Sequence, residues 1–157
     1  MIYFRKKNID NFSSDNIENG IRKFSLKRYT SLDLKSSSSY IKEDKFFLGL
    51  ESKSELEITR IRTPFERFFP KVIVSFSKVG QFKIYRIRYS ILSAFVFIIL
   101  IIAVLQNIYT LIVDKEFDND IIPLAIFFLI FIVFTIAEIK LTEIKIRNAI
   151  KFMTKHT

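Results

Sequence analysis

Two uncharged apolar runs with only seven residues between them constrain this chain more than anything else in it. The first is the 24-residue stretch Ser90–Val113, SILSAFVFIILIIAVLQNIYTLIV, and the second the 17-residue stretch Ile121–Ala137, IIPLAIFFLIFIVFTIA. Water does not accommodate two such surfaces side by side. A bilayer does, because a hydrocarbon core of about 30 Å takes roughly 20 apolar residues per helical crossing. At about 1.5 Å per residue the first run spans roughly 36 Å, enough to cross with some tilt. The second spans only about 26 Å. Its crossing therefore draws on its flanks, with Asn119 and Asp120 near one interface and Glu138 and Lys140 near the other. Pro123 suits the first turn of that helix, where a missing N–H costs nothing, and Asp120 stands where a cap belongs. Core helices of short soluble chains keep a polar face; neither run has one.

The flanking charges orient the hairpin. Residues 1–89 carry 19 Lys+Arg against 10 Asp+Glu, the link 114–120 carries one Lys against four acids, and 138–157 carries five basic residues against two acidic ones. Lys and Arg accumulate on the cytoplasmic side of membrane segments. This predicts a multi-pass protein of the cell (inner) membrane, with the acidic link outward and both termini cytoplasmic. The first apolar run starts at Ser90, too far along the chain for a cleaved leader. The expected fold class is membrane α+β. It has an antiparallel β-rich cytoplasmic domain over 1–89 with one short helix, transmembrane helices over 90–113 and 121–139 joined by an acidic extracytoplasmic loop over 114–120, and an amphipathic cytoplasmic helical tail over 140–157.

Within residues 1–89 the pattern is mostly of strand type. MIYFRKK is apolar enough for an opening strand. In NFSSDNIENGIRKF, Ile17, Ile21 and Phe24 recur at helical spacing and Asp15 followed by Glu18 resembles a capping arrangement, so one short helix is expected despite Gly20 in its middle. FSLKRYTSLDLK alternates weakly, and Lys35 with Ser36–Ser39 makes a polar loop. Four stronger strands follow. KFFLGLE at 45–51 and ELEITRIR at 55–62 form a hairpin over Ser52–Ser54; KVIVSFSK at 71–78 and FKIYRIRY at 82–89 form another over a tight turn at Val79 and Gly80. The apolar candidates for a shared core are Leu48, Leu50, Leu56, Ile58, Val72, Val74, Phe76, Phe82 and Ile84.

The segment RTPFERFFPKV lies between the second and third of these strands. Pro64 and Pro70 remove backbone donors and bracket Phe65, Phe68 and Phe69, so this is a shaped connection or an edge, not a central strand. Its aromatics either contact a protein partner or the lipid headgroup region, with Arg60, Arg62 and Arg67 beside lipid phosphates, or fold back over the open end of the sheet. Before the first crossing, Lys83, Arg86 and Arg88 would meet the anionic inner leaflet, each attraction being about 1 kcal/mol.

The order of Phe47, Gly49, Leu56, Ile58 and Arg60, then Phe69 and Pro70, two more strands and a membrane helix resembles small uncharacterised bacterial two-helix membrane proteins with a β-rich cytoplasmic domain. Through them it is similar to pleckstrin-homology-like modules, in which a bent antiparallel sheet is closed by a helix. Here the membrane helix stands where that closing helix would follow. The resemblance implies a β-rich module and no catalytic residue.

Enzyme chemistry finds little support. The chain has no Cys, and its one histidine, His156, lies beside the C-terminus. Three glycines, Gly20, Gly49 and Gly80, make no phosphate-cradling loop. The carboxylates occur as the pairs Glu43–Asp44 and Glu55–Glu57; the second, at i, i+2 on one strand face, could bind a cation but its alternation reads as a solvated strand face, so no metal, cofactor or catalytic residue is expected. The basic residues are spread from Arg5 to Lys155 without a nucleic-acid module, which argues against a nucleic-acid partner. Inside the apolar runs no side chain is ionisable; Gln106 and Asn107 are the candidates for a helix–helix contact within the hairpin or with another copy. The tail pairs Glu143 with Arg147 at i, i+4 and would lie on the sheet, on the membrane surface or in a coiled contact. Two functions are thus expected: a non-catalytic membrane-anchored interaction, scaffold or regulatory module contacting the bilayer, anionic headgroups or a protein partner, or a small subunit of an oligomeric transporter or channel.

Overall fold

The computed structural model describes residues 3–33, 44–113 and 121–155. In chain order it comprises β1 (Arg5–Asn8), α1 (Ser14–Lys23), β2 (Ser25–Arg28), β3 (Phe47–Glu51), β4 (Glu55–Arg60), a 3-10 turn (Phe65–Phe68), β5 (Val72–Ser77), β6 (Ile84–Tyr89), α2 (Ile91–Val113) and α3 (Ile121–Thr154). The acidic link at 114–120, the serine loop with Lys35, Glu43 and His156 lie outside the described residues.

The strands form one sheet in the order β1-β6-β5-β4-β3-β2. β3 to β6 make the expected antiparallel meander, with β1 added antiparallel to β6. The weakly alternating FSLK segment supplies a further strand, β2, which runs parallel to β3. Register decides which side chains are buried. Val72, Val74 and Phe76 pair with Tyr89, Ile87 and Tyr85, so the core face of β6 carries Tyr85 and Ile87 and the expected Ile84 points the other way. A shift of one residue exchanges the faces of a strand. FKIYRIRY is apolar enough on both faces that sequence alone did not choose.

The β5–β6 turn also differs from expectation. Its left-handed residues are Gln81 (φ 49°) and Phe82 (φ 60°), not Gly80. A non-glycine residue held there costs on the order of 1–3 kcal/mol. Burial of an aromatic ring offsets this by about 1.5–3 kcal/mol, and Phe82 is buried with its ring centroid 6.4 Å from that of Phe76. The strand consequently begins at Ile84, two residues later than expected.

α1 is capped by Ser13, whose Oγ accepts the Asn16 N–H at 3.3 Å, and not by Asp15, which sits in the first turn and there favours the helix dipole. Ile17 and Ile21 face the sheet. Gly20 meets α3: a Cβ at this position would lie 2.8 Å from the Ala149 carbonyl oxygen, so the two helices approach as closely as a missing side chain allows.

α3 is one continuous helix that does two things. Its second half presents Ile139, Ile146, Ala149 and Ile150 to the same core as Ile17, Phe47, Ile58, Val74 and Ile87. The expected tail therefore lies against the sheet and α1. The helix that closes the sheet is the far end of α3 and not the one that follows the last strand. On the opposite face a smaller cluster of Leu32, Leu48 and Ile73 gathers Leu26, Leu50 and Ile61, so Leu48 and Leu50 belong to the back of the sheet.

α2 and the first half of α3 are long and apolar enough to cross a membrane, and within their apolar windows only 11% and 17% of the residues are buried. A core helix of a soluble protein is mostly covered. Here large side chains such as Phe95, Ile102, Phe127 and Leu129 are exposed. Where the helices leave the sheet, Tyr89 of β6 stacks near Phe97 of α2 and Phe131 of α3, with ring centroids 5.5 and 6.1 Å away.

Candidate functional site

β4 ends at Arg60, which shares the face of Phe47 and so points toward α3. There it meets Glu138, the first charged residue after the apolar run. Arg60 Nη2 donates to Glu138 Oε2 at 2.6 Å and Nη1 to Glu66 Oε1 at 2.8 Å. Arg62 Nε lies 3.4 Å from Glu138 Oε1, and its Nη1 donates to the Phe69 carbonyl at 2.6 Å. Glu138 is fully buried, and Arg60 and Arg62 are 3% and 4% exposed. Charges so far from water are tolerated only when paired and hydrogen-bonded. Glu66 also accepts the Thr63 N–H at 2.8 Å. Burial pushes its carboxyl upward, but the Thr63 and Arg60 hydrogen bonds outweigh that and hold it below the ordinary value. Arg60 and Arg62 are thus structural ions that fasten the proline-bracketed segment to α3, not free contacts for lipid phosphate.

Arg88 has the same fate on the other face. Its Nη1 and Nη2 donate to Asp33 at 2.7 and 3.0 Å, and Nη2 donates to Glu57 at 3.0 Å. Asp33 in turn accepts the Ile91 N–H at 3.0 Å and so holds the start of α2. Glu57 is therefore not the solvated strand acid that its alternation suggested. Lys71 sits nearby and donates to the Leu32 carbonyl; burial, with Arg62 and Arg88 adding repulsion against the pull of Asp33, brings its ammonium down to about 8. Neither ion cluster was legible in the sequence, although an acid at the basic end of an apolar run, Glu138, was a signal that a partner was waiting.

The remaining expected contacts lie outward. Lys83 and Arg86 are exposed, with Arg86 over the Tyr3 ring at 5.5 Å. Gln106 is exposed and Asn107 Nδ2 donates to the Ala103 carbonyl of its own helix at 2.9 Å; among the described residues no side-chain hydrogen bond joins either to α3. Phe69 packs on Phe134 at 4.7 Å, while Phe65 and Phe68 are 70% and 77% exposed and, with Arg67, stand on the 3-10 turn. These two rings and Pro70 face Phe127, Ile130 and Phe134 across a groove of about 320 Å³.

A second groove, of about 440 Å³, opens between the β1–α1 connection and the second half of α3. Its floor is Ile9, Phe12, Ile146 and Ile150, and its rim holds Lys7, Asp10, Glu143, Arg147 and Lys151. Glu143 pairs with Lys7 at 2.8 Å and Arg5 at 3.6 Å, not with Arg147 as its spacing suggested. That leaves Arg147 and Lys151 without an ion pair among the described residues. Among the described residues no group of His, Cys, Asp and Glu is arranged to hold a metal ion.

Comparison with known proteins adds no relative: no family model, curated protein or solved structure matches the chain.

Proposed function

We propose that this is an integral membrane protein with a non-catalytic role, an interaction module whose cytoplasmic sheet domain is held at the inner face of the membrane by a two-helix anchor. The observation that carries this reading is the division of α3. Its 34 residues rise about 51 Å, of which a bilayer takes about 30 Å and the remainder reaches across the sheet. The same helix is thus apolar and uncovered along its first half and built into the domain core along its second. A domain joined in this way is displayed at a set height and orientation, which suits the presentation of a binding surface. The basic flanks and acidic link favour both termini in the cytoplasm. The surface best suited to a protein partner is the 440 Å³ groove, where an apolar floor and Arg147 and Lys151, which make no ion pair among the described residues, fit an acidic, partly apolar segment.

Two measurements test this. In intact cells, Asp118→Cys is expected to react with a membrane-impermeant thiol reagent and Lys155→Cys only after permeabilisation; the reverse pattern, or release of the protein by alkaline extraction, rejects the anchor. A photo-crosslinking residue at Asn11 is expected to trap a protein partner that is lost when Arg147 and Lys151 are both changed to Glu. Unchanged trapping in that variant rejects the groove as the binding surface.

A further inference from the structure

Exposed phenylalanines beside the 320 Å³ groove pose a problem that the anchor does not explain, since Phe65 and Phe68 are 70% and 77% exposed on a four-residue turn. Resting on the membrane-anchored reading above, we propose that this groove holds one acyl chain of an anionic phospholipid of the cytoplasmic leaflet, with the lipid phosphate at Arg67.

Position along α3 carries the first part. The ion cluster at Glu138 marks where the helix passes from apolar to charged surroundings. Counting back from Glu138, Phe134 lies about 6 Å and Phe127 about 16 Å along the helix axis, and a single leaflet contributes about 15 Å of hydrocarbon. The α3 wall of the groove therefore runs the depth of the inner leaflet. Phe127 and Ile130 are 55% and 42% exposed there, so the groove is continuous with the surface that meets lipid tails. The other wall, Phe65, Phe68 and Pro70, belongs to the sheet domain.

Charge carries the second part. Of the three arginines in this segment, Arg60 and Arg62 are consumed by Glu138 and Glu66. Arg67 alone is exposed and makes no ion pair among the described residues, and it lies in the same turn as both exposed rings. An apolar groove at leaflet depth, walled in part by a turn that also carries an exposed cation, is complementary to an anionic amphiphile. A second copy of the chain would bring another Arg67 or the same bulky Phe and Ile side chains to this place, without a small-residue seam for close approach.

The test uses the full chain in phosphatidylcholine nanodiscs doped with a phosphatidylglycerol that carries a photoactivatable group on one acyl chain. Labelling is expected to concentrate on peptides containing Phe65–Pro70 and Phe127–Phe134. Phe65→Ser with Phe68→Ser, which removes only exposed rings, is expected to lower that labelling about tenfold. Ile130→Trp, which fills the groove and leaves the turn intact, is expected to do the same. Arg67→Glu is expected to reduce labelling by phosphatidylglycerol but not by the matching phosphatidylcholine probe. Labelling spread evenly over α2 and α3, insensitivity to all three variants, or competition by a crosslinked second copy at the same peptides overturns the proposal with the anchor intact. Absence of label from both helices instead overturns the anchor itself.

Discussion

Glu138 Oε2 accepts a hydrogen bond from Arg60 Nη2 at 2.6 Å across 78 residues of sequence, with Glu138 fully buried and Arg60 nearly so. One residue ends the uncharged run, the other ends β4, and their pairing joins the apolar helix to the sheet.

Breaking that pair is expected to be costly. Glu138→Gln leaves Arg60 and Arg62 buried beside an uncharged amide, and removal of one partner of a buried ion pair typically costs about 3–5 kcal/mol. Denaturation of the protein in detergent micelles should show this loss. Arg60→Met in the same chain should return part of it, because the two changes act on one network and are not additive.

Gly20→Ala is expected to destabilise the protein although alanine is the better helix former by about 1 kcal/mol. The added methyl would lie 2.8 Å from the Ala149 carbonyl oxygen, a backbone atom that cannot turn aside. Parting α1 from α3 should cost about 1–3 kcal/mol, so a lowered midpoint in thermal unfolding is the expected result. An unchanged or raised midpoint would mean that the helices do not meet there.

Acid sensitivity should be concentrated at Glu51, which accepts from Arg22 at 2.8 and 2.9 Å and from Lys78 at 2.8 Å. The Arg22 and then the Lys78 hydrogen bonds bring its carboxyl down from the ordinary 4.5 to about 2. With the folded value below the unfolded one, its contribution is complete above about 4.5 and is lost as the pH falls toward about 2. Carbon-detected NMR titration should find the low midpoint, and Glu51→Gln should flatten the decline in stability across that window.

Tyr89 is expected to couple the sheet to the hairpin mainly through its ring. The ring lies 4.8 Å from Phe4 and 5.5 Å from Phe97, and the hydroxyl donates to Thr135 Oγ1 at 3.2 Å. Tyr89→Phe should cost about 1 kcal/mol and Tyr89→Ala about 3–5 kcal/mol. Equal losses from the two changes would place the coupling in the hydroxyl.

The places where sequence and structure diverge have a common cause. Val72, Val74 and Phe76 were legible as a core face because only one face of β5 alternates to polar residues, whereas FKIYRIRY has Ile84 and Ile87 on opposite faces and needed its neighbour's register to decide. Arg60, Arg62 and Arg88 looked like outward cations because most arginines are; nothing local announces Glu138, Glu66, Asp33 or Glu57 as their partners. Phe65, Phe68 and Arg67 stand out at both levels, since two prolines shape the turn that displays them.

By itself the sequence determined two helices of membrane length, their basic flanks and acidic link, and a meander of four strands, because these depend on hydrophobicity and on periods of 2 and 3.6 within a few residues. The tertiary structure alone decided that the tail of α3 closes the sheet, that a parallel β2 extends it, and that three arginines lie inside. Those outcomes rest on contacts as distant as Lys7 with Glu143, 136 residues apart, and burial of a charge is favourable only once its partner has been brought to it.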